Sequence, residues 1–404
     1  MKILYFGTVC ELASYEKILS ECKTKSSVAP IVFEASLLSG LKKNGVDAEV
    51  HSFPMIPVFP DSKLLCWGKR RETLSCGYSC TWLRTVNVPV LKQISRRLDG
   101  IRVLKKWLKE NRGGECAVVS YSMPPFLTKD IIKLSRKYGV KCFAVVTDLL
   151  VNMYINSRDS SFVSRLKDRY LAGAIKHQGS FDGYIYLTEA MSEVVNPEKP
   201  YIVMEGIADT ETSFTGEVPV KADVPYIMYA GMIEEEYGIT ELLDAFERAE
   251  LGECELWFFG SGNGTARVLE RGERDPRIRY FGRVKREEIL ALEKNAALLV
   301  NPRDPSMDFT RFSFPSKTVE YMLSGTPVLT TRLQGIPSEY FDYVFSCADN
   351  TPEAMAQVLE RAMALSEYER REMGSRARNF ILENKNAVSQ AARIKEFIKE
   401  VVRR

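Results

Sequence analysis

Two cations, three hydroxyls and a carboxylate lie close together in the run Arg311-Phe312-Ser313-Phe314-Pro315-Ser316-Lys317-Thr318-Val319-Glu320. Pro315 marks the start of a helix, Ser316 is a capping candidate, and Gly325 closes the helix before the extended Pro327-Val328-Leu329-Thr330-Thr331. The free amides of a helix start favour an anion, and Lys317 adds a mobile positive charge. Glu320 follows about one turn after Ser316, on the same face. A phosphate beside a hydroxylated ring would satisfy all of these groups at once. A plainer reading is a capped helix that packs Val319, Met322 and Leu323 on a sheet and leaves Lys317 and Glu320 solvated.

Other segments place glycines or acids where a strand turns. Tyr229-Ala230-Gly231-Met232 leads through three glutamates and Tyr237 to Gly238, a strand feeding a turn into a helix that can bring backbone amides to a phosphate at Gly231. Phe259-Gly260-Ser261-Gly262-Asn263-Gly264 follows a strand and precedes a helical stretch; its small residues also suit a simple tight turn. Phe281-Gly282-Arg283-Val284 reads as a strand end, and Gly335-Ile336-Pro337 with Glu339 as a turn. Asp148 ends the apolar run Val145-Val146-Thr147, where ligands of open α/β sheets collect, so it is a candidate for acceptor or sugar hydroxyls or a cap for the next element. Gly7-Thr8 occupies the same rim, with Ser26-Ser27 ahead of the next helix.

The Phe314-Pro315-Ser316-Lys317 run with Glu320 resembles the nucleotide-sugar signature of retaining GT-B glycosyltransferases, family 4 or "glycosyl transferases group 1", in the form common among bacterial polysaccharide enzymes. The resemblance implies an α/β fold of two Rossmann-like domains across a cleft, with a terminal helix returning to the first. It also implies transfer of a hexosyl group from a nucleotide-diphosphate sugar to an acceptor hydroxyl, without cofactor or metal, in capsule, exopolysaccharide or O-antigen synthesis. A uridine diphosphate sugar is expected ahead of a guanosine one, with a sugar or lipid-linked saccharide as acceptor. Lys317, Glu320 and Asp148 are the expected catalytic residues. The donor is expected at Gly231, Gly260, Gly262, Arg283, Val284, Arg303, Arg311, Pro315, Ser316, Lys317 and Glu320.

Three positions depart from the family pattern. Two glutamates eight positions apart flank the signature in the family; Glu320 takes the second place, but Phe312 takes the first and cannot accept hydrogen bonds as a carboxylate does. Asp304, Asp308 and Arg311 are nearby substitutes. The cations the family has after its first glycine and before its second are here Met232 and Tyr237. These losses keep two alternatives open: a non-catalytic nucleotide-sugar-binding or assembly subunit, and a sugar-nucleotide epimerase of the same fold.

A chain of 404 residues exceeds what one core usually organises, so two domains are expected. The boundaries read as 1–208 for the acceptor side, 209–385 for the nucleotide sugar, and 386–404 for the returning helix. Ile3-Leu4-Tyr5-Phe6 after Met1-Lys2 is too short for a secretory segment and reads as a first strand; no run of ~20 apolar residues follows, and a cytoplasmic protein is expected. Nine scattered cysteines and two histidines supply no metal-ligand spacing and little for His-dependent nucleophilic catalysis.

The net charge of +3 hides an asymmetry. Residues 1–210 hold 30 Lys+Arg against 21 Asp+Glu, a balance of +9, and the remainder holds 26 against 32, a balance of −6. Much of the excess lies in Lys92 to Lys109 and Lys129 to Lys141, interleaved with apolar residues at helical spacing. These read as amphipathic helices with solvated cationic faces; attraction to an anionic membrane surface, as a peripheral protein on the inner face of the plasma membrane, is the second reading. No nucleic-acid motif accompanies the charge.

Short apolar runs alternate with longer periodic segments throughout, the pattern of parallel sheets flanked by helices. Helices are expected at Pro30–Asn44, Ile101–Asn111, Thr128–Tyr138 and Ser161–Lys176 in the first half. In the second, they are expected at Ile239–Ala249, Arg286–Asn295, Pro352–Leu365, Glu367–Asn384 and Ala387–Val402. The stretch Phe53–Val90, rich in Pro, Cys and aromatics, resolves into no element.

Overall fold

The computed structural model describes residues 1–24, 26–150, 162–208 and 220–404, the side chains of 162–169 excepted. The chain folds into two compact units, the first made of residues 1–207 with 387–404 and the second of residues 208–386.

The first unit is built on β1 (Lys2–Gly7), whose Ile3, Leu4, Tyr5 and Phe6 are wholly buried, as in a strand covered on both faces. Around it stand α1 (Leu12–Ser20), α2 (Ala29–Lys43) and β2 (Asp47–Ser52). The stretch from 53 to 90, which the periodicity leaves blank, forms β3 (Cys66–Trp67), β4 (Arg71–Thr73), β5 (Ser79–Trp82) and β6 (Thr85–Val86). After it come α3 (Leu91–Asn111), β7 (Cys116–Tyr121), α4 (Thr128–Tyr138), β8 (Lys141–Val146), α5 (Phe162–Gln178), β9 (Gly183–Tyr186), α6 (Ala190–Val195) and β10 (Tyr201–Val203). The sheet runs β10-β9-β8-β7-β1-β2-β5-β4, parallel except for the β4–β5 edge. The order reverses at β1, between β2 and β7.

The last helix, α13 (Ala387–Arg403), belongs to this unit. Its Ala391, Ile394, Ile398 and Val401 join the core around β1, and Lys395 donates to the Asn44 carbonyl at 2.8 Å. The approach to α2 is so close that a Cβ on Gly40 would meet the Ala387 carbonyl at 1.9 Å.

The second unit runs β11 (Tyr226–Met232), α7 (Ile239–Arg248), β12 (Glu255–Ser261), α8 (Thr265–Arg274), β13 (Ile278–Gly282), α9 (Arg286–Asn295), β14 (Leu298–Asn301), α10 (Ser316–Ser324), β15 (Val328–Thr331), β16 (Phe345–Cys347), α11 (Pro352–Ala364) and α12 (Glu367–Asn384). All its strands are parallel, in the order β13-β12-β11-β14-β15-β16. Numbered from the first strand this is 3-2-1-4-5-6, the doubly wound dinucleotide-binding order, whose ligand crevice opens at the carboxyl ends beside strand 1.

Two expectations need correction. The helix expected from Ile101 starts at Leu91, because its first ten residues carry an inverted pattern: Lys92, Arg96 and Asp99 face inward, and Leu91, Ile94 and Leu98 face out. Those cations are therefore not a solvated outer face. Ser161, the expected start of the next helix, lies outside the described residues.

Candidate functional site

Beyond Met228, β11 no longer pairs with β14, which leaves Ala230 without a strand neighbour on that side. Tyr321 of α10 fills the gap: its hydroxyl accepts from the Ala230 N–H at 2.9 Å and donates to the Ala230 carbonyl at 3.1 Å. One buried phenol thus anchors α10 at the switch point of the sheet. The other end of α10 is held by α12, where a Cβ on Gly374 would meet the Gly325 carbonyl at 1.9 Å, and Gly325 takes the left-handed conformation with φ 82°.

The start of α10 differs from the expectation. Pro315 occupies the capping position, Ser316 is the first helical residue and exposed, and no side-chain oxygen caps the helix. Proline has the fixed φ for this place but no polar side chain; the Thr318 N–H turns back to the Pro315 carbonyl at 2.8 Å, and the Ser316 and Lys317 amides are left for solvent or an anion.

Lys317 and Glu320 form an ion pair through Lys317 Nζ and Glu320 Oε1. A third member escaped the sequence reading. Glu293 of α9 is fully buried, with Oε1 3.4 Å from Lys317 Nζ, and Arg286 lies 3.7 Å from Glu320 Oε2. Burial pushes the Glu293 carboxyl above its usual range, with Lys317 opposing and Glu320 adding to the shift. Burial works against the Lys317 charge, but the two glutamates outweigh it and raise its pKa. Glu320 is held low, because Lys317 overcomes its own burial. The result is a charged Lys317–Glu320 pair backed by a proton-retaining acid. The available signal was a carboxylate in register with Ile289 and Leu290 on the apolar face of a helix.

The two glycine turns lie at the same end of the sheet but are tied to each other. Gly231 pairs in register with Gly260, whose φ of 127° and 1.8 Å Cβ approach to the Gly231 carbonyl admit only glycine. A Cβ on Gly262 would meet the Ile233 carbonyl at 2.2 Å. Ile233 N–H donates to Ser261, Glu235 N–H to Asn263 Oδ1, and Gly264 N–H to Ile233, so these amides hold the loops together instead of facing an anion. Arg283 is exposed and its Nε donates to Ser261 Oγ at 2.8 Å, with Val284 half-buried beside it.

Tyr237 stands where the resemblance expects a lysine, and Arg303 lies over its ring at 4.3 Å. The aromatic therefore carries a cation it does not itself supply. Arg311 lies over the ring of Phe312 at 5.5 Å. Of the proposed replacements for the first glutamate, Asp304 accepts from the Ser306 N–H at 2.8 Å, and Asp308 is exposed. Gly335 presses on the segment before α10, with Cβ approaches of 2.4 Å to Ser313 and 2.6 Å to Thr310 carbonyls.

Asp148 belongs to the first unit, exposed just past the end of β8. Beside it, Ser122 and Thr147 hydroxyls lie 3.1 Å apart, and Ser122 and Met123 both have positive φ, 55° and 44°. Below that rim Glu34 is fully buried, accepting from Tyr5 OH at 2.8 Å and from Thr8 N–H at 2.8 Å. Burial raises its carboxyl to about 7, against the hydrogen bonds from Thr8 and Tyr5. Among the described residues, no helix is long and apolar enough to cross a membrane.

Residues 224–364 match the family model for Glycosyl transferases group 1. No curated protein sequence matches the chain. Among solved structures, a glycosyltransferase from Rickettsia africae is similar at 15% identity, over 99% of this chain and 98% of that one, with a TM-score of 0.62. Sucrose-phosphate synthase from Thermosynechococcus elongatus follows at 14% identity, 99% of each chain and a TM-score of 0.61. The lipopolysaccharide outer core galactosyltransferase WaaB shows 13% identity, 99% of each chain and a TM-score of 0.58. The chain thus has the mixed α/β GT-B fold.

Proposed function

We propose that this protein is a retaining glycosyltransferase that moves a sugar from a nucleotide diphosphate, uridine ahead of guanosine, to an acceptor hydroxyl in bacterial surface-polysaccharide assembly. The carrying observation is the uncapped start of α10, with the Lys317–Glu320 pair on its first turn and Glu293 behind it, on the doubly wound unit that matches the family model. Glu320 binds ribose hydroxyls, and Lys317 with the Ser316 and Lys317 amides binds the diphosphate. As the bond from the sugar's anomeric carbon to the β-phosphate oxygen breaks, negative charge grows on the leaving diphosphate. Fixed positive groups there lower the barrier. The acceptor oxygen bonds the same face of that carbon, and its proton passes to the departing phosphate, so no protein base or metal is required. Arg303 on the Tyr237 ring and Arg286 beside Glu320 supply positive charge in place of the family cations replaced by Met232 and Tyr237.

Phe312, Met232 and Tyr237 favour a second reading, a donor-binding subunit without turnover. Incubating the purified protein with uridine, guanosine and adenosine diphosphate sugars separates the two. Release of free nucleotide diphosphate, abolished in Lys317→Met, supports the transferase. Donor binding without hydrolysis or transfer to any supplied acceptor supports the second reading, and an absence of binding refutes both.

A further inference from the structure

The first half of α3 is built inside out. Lys92 and Arg96 are 6% and 5% exposed, and both end on backbone carbonyls of one loop: Lys92 on Ile56, and Arg96 on Pro54 at 2.7 Å. Asp99, equally buried, accepts from the Arg84 N–H at 3.0 Å. Burying these charges is unfavourable, and burial lowers the Lys92 pKa to about 7 and that of Arg96 to about 9. The opposite face leaves Leu91, Ile94 and Leu98 in water, Leu98 at 61% exposure.

The apolar face continues beyond the helix. Val90, 55% exposed, has φ 65° and ψ −51°, and Leu91 N–H donates to Pro89 at 2.7 Å. That is a γ-turn of the rare, strained hand, on a β-branched residue. Val86 N–H donates to Ser95 Oγ on α3, which brings exposed Val86 beside the helix. Buried charge and backbone strain thus accompany an outward display of Val86, Val90, Leu91, Ile94 and Leu98.

Further along, the same outward face turns cationic. Arg97, Arg102, Lys105 and Lys109 are exposed, and the acids that pair with the arginines, Asp130 and Asp99, are 16% and 4% exposed. Over its length α3 carries seven Lys+Arg against two acids. An apolar stripe followed by a cationic one, on a helix about 31 Å long at 1.5 Å per residue, is the face of a helix that lies in a lipid interface.

We propose that the outward face of α3, with Val86 and Val90, docks this protein on an anionic phospholipid bilayer. Leu91, Ile94 and Leu98 enter the boundary between headgroups and acyl chains, while Arg102, Lys105 and Lys109 meet the lipid phosphates. The assignment stands on the first unit alone and does not depend on the donor reading.

The test is co-sedimentation of the full chain with phosphatidylcholine vesicles and with vesicles of phosphatidylcholine and phosphatidylglycerol at three to one. Binding at least about tenfold tighter to the anionic vesicles is expected, weakened by 0.5 M salt. Ile94→Asp with Leu98→Asp, and separately Lys105→Glu with Lys109→Glu, each lower the partition coefficient at constant melting temperature. At roughly fivefold per cation, the charge variant loses about 25-fold or more. Failure of the wild type to bind either vesicle, equal binding to both, or binding unchanged in both variants overturns the proposal. So does sedimentation velocity showing a dimer that Ile94→Asp with Leu98→Asp dissociates, because the patch then joins two copies of this chain.

Discussion

Lys317→Met isolates the charge on which the proposed donor site rests, because methionine keeps most of the stem's apolar packing and removes only the ammonium. In the structure that ammonium pairs with Glu320 and lies 3.4 Å from Glu293. A charged hydrogen bond to the diphosphate contributes ~1.5–3 kcal/mol, so the dissociation constant for uridine diphosphate rises about 10- to 150-fold. The effect on uridine is near zero, since it carries no phosphate. The fold survives the change: Glu293 already retains its proton more strongly than an ordinary carboxyl, and Arg286 stays 3.7 Å from Glu320. Without the cation the Glu293 pKa moves higher still, so the folded state holds that proton to higher pH and stability falls with rising pH over a wider window. Calorimetric titration with uridine diphosphate and with uridine, beside thermal unfolding from pH 5 to 8, reads all three effects. Equal weakening of both ligands, or none for the diphosphate, refutes the assignment of Lys317 to the phosphates.

Glu34→Gln tests the buried acid of the first unit. Its folded pKa of about 7 lies above the ordinary 4.5, so its contribution is complete below the ordinary value and is lost as pH climbs toward 7. That loss is roughly 3 kcal/mol, and Gln should flatten the decline in melting temperature from pH 5 to 8; a parallel decline in both proteins contradicts this. Tyr321→Phe leaves the Ala230 N–H and carbonyl without their partner, at a cost of ~1–3 kcal/mol, seen as a lower denaturation midpoint with an unchanged slope. Tyr237→Leu removes the ring beneath Arg303. At ~0.5–2 kcal/mol for the lost cation–π contact, uridine diphosphate should bind about 2- to 30-fold more weakly, with little change for uridine; unchanged diphosphate affinity removes Arg303 from the site.

Much of the second unit could be read directly from the chain. Arg286–Asn295 and Glu367–Asn384 run between the residues that periodicity and punctuation assign them, because local pattern and tertiary role agree there. The signature helix was legible for the same reason, down to its glycine stop. Its capping residue was not: Ser316 has the right chemistry, but the backbone turns one residue earlier, at Pro315.

What sequence alone decided was the alternation of strands and helices, hence doubly wound sheets, and the gathering of Pro315, Ser316, Lys317 and Glu320, which one helical turn makes neighbours. Tertiary structure decided everything that depends on distant segments meeting. It brought Glu293 beneath Lys317, set Arg303 on Tyr237, locked the Gly231 and Gly260 turns together, and turned the first half of α3 inside out over the loop that Lys92 and Arg96 hold. The reason is that a side chain's charge state and facing depend on which carbonyls, rings and carboxylates the rest of the fold brings to it. Local spacing carries no record of those partners.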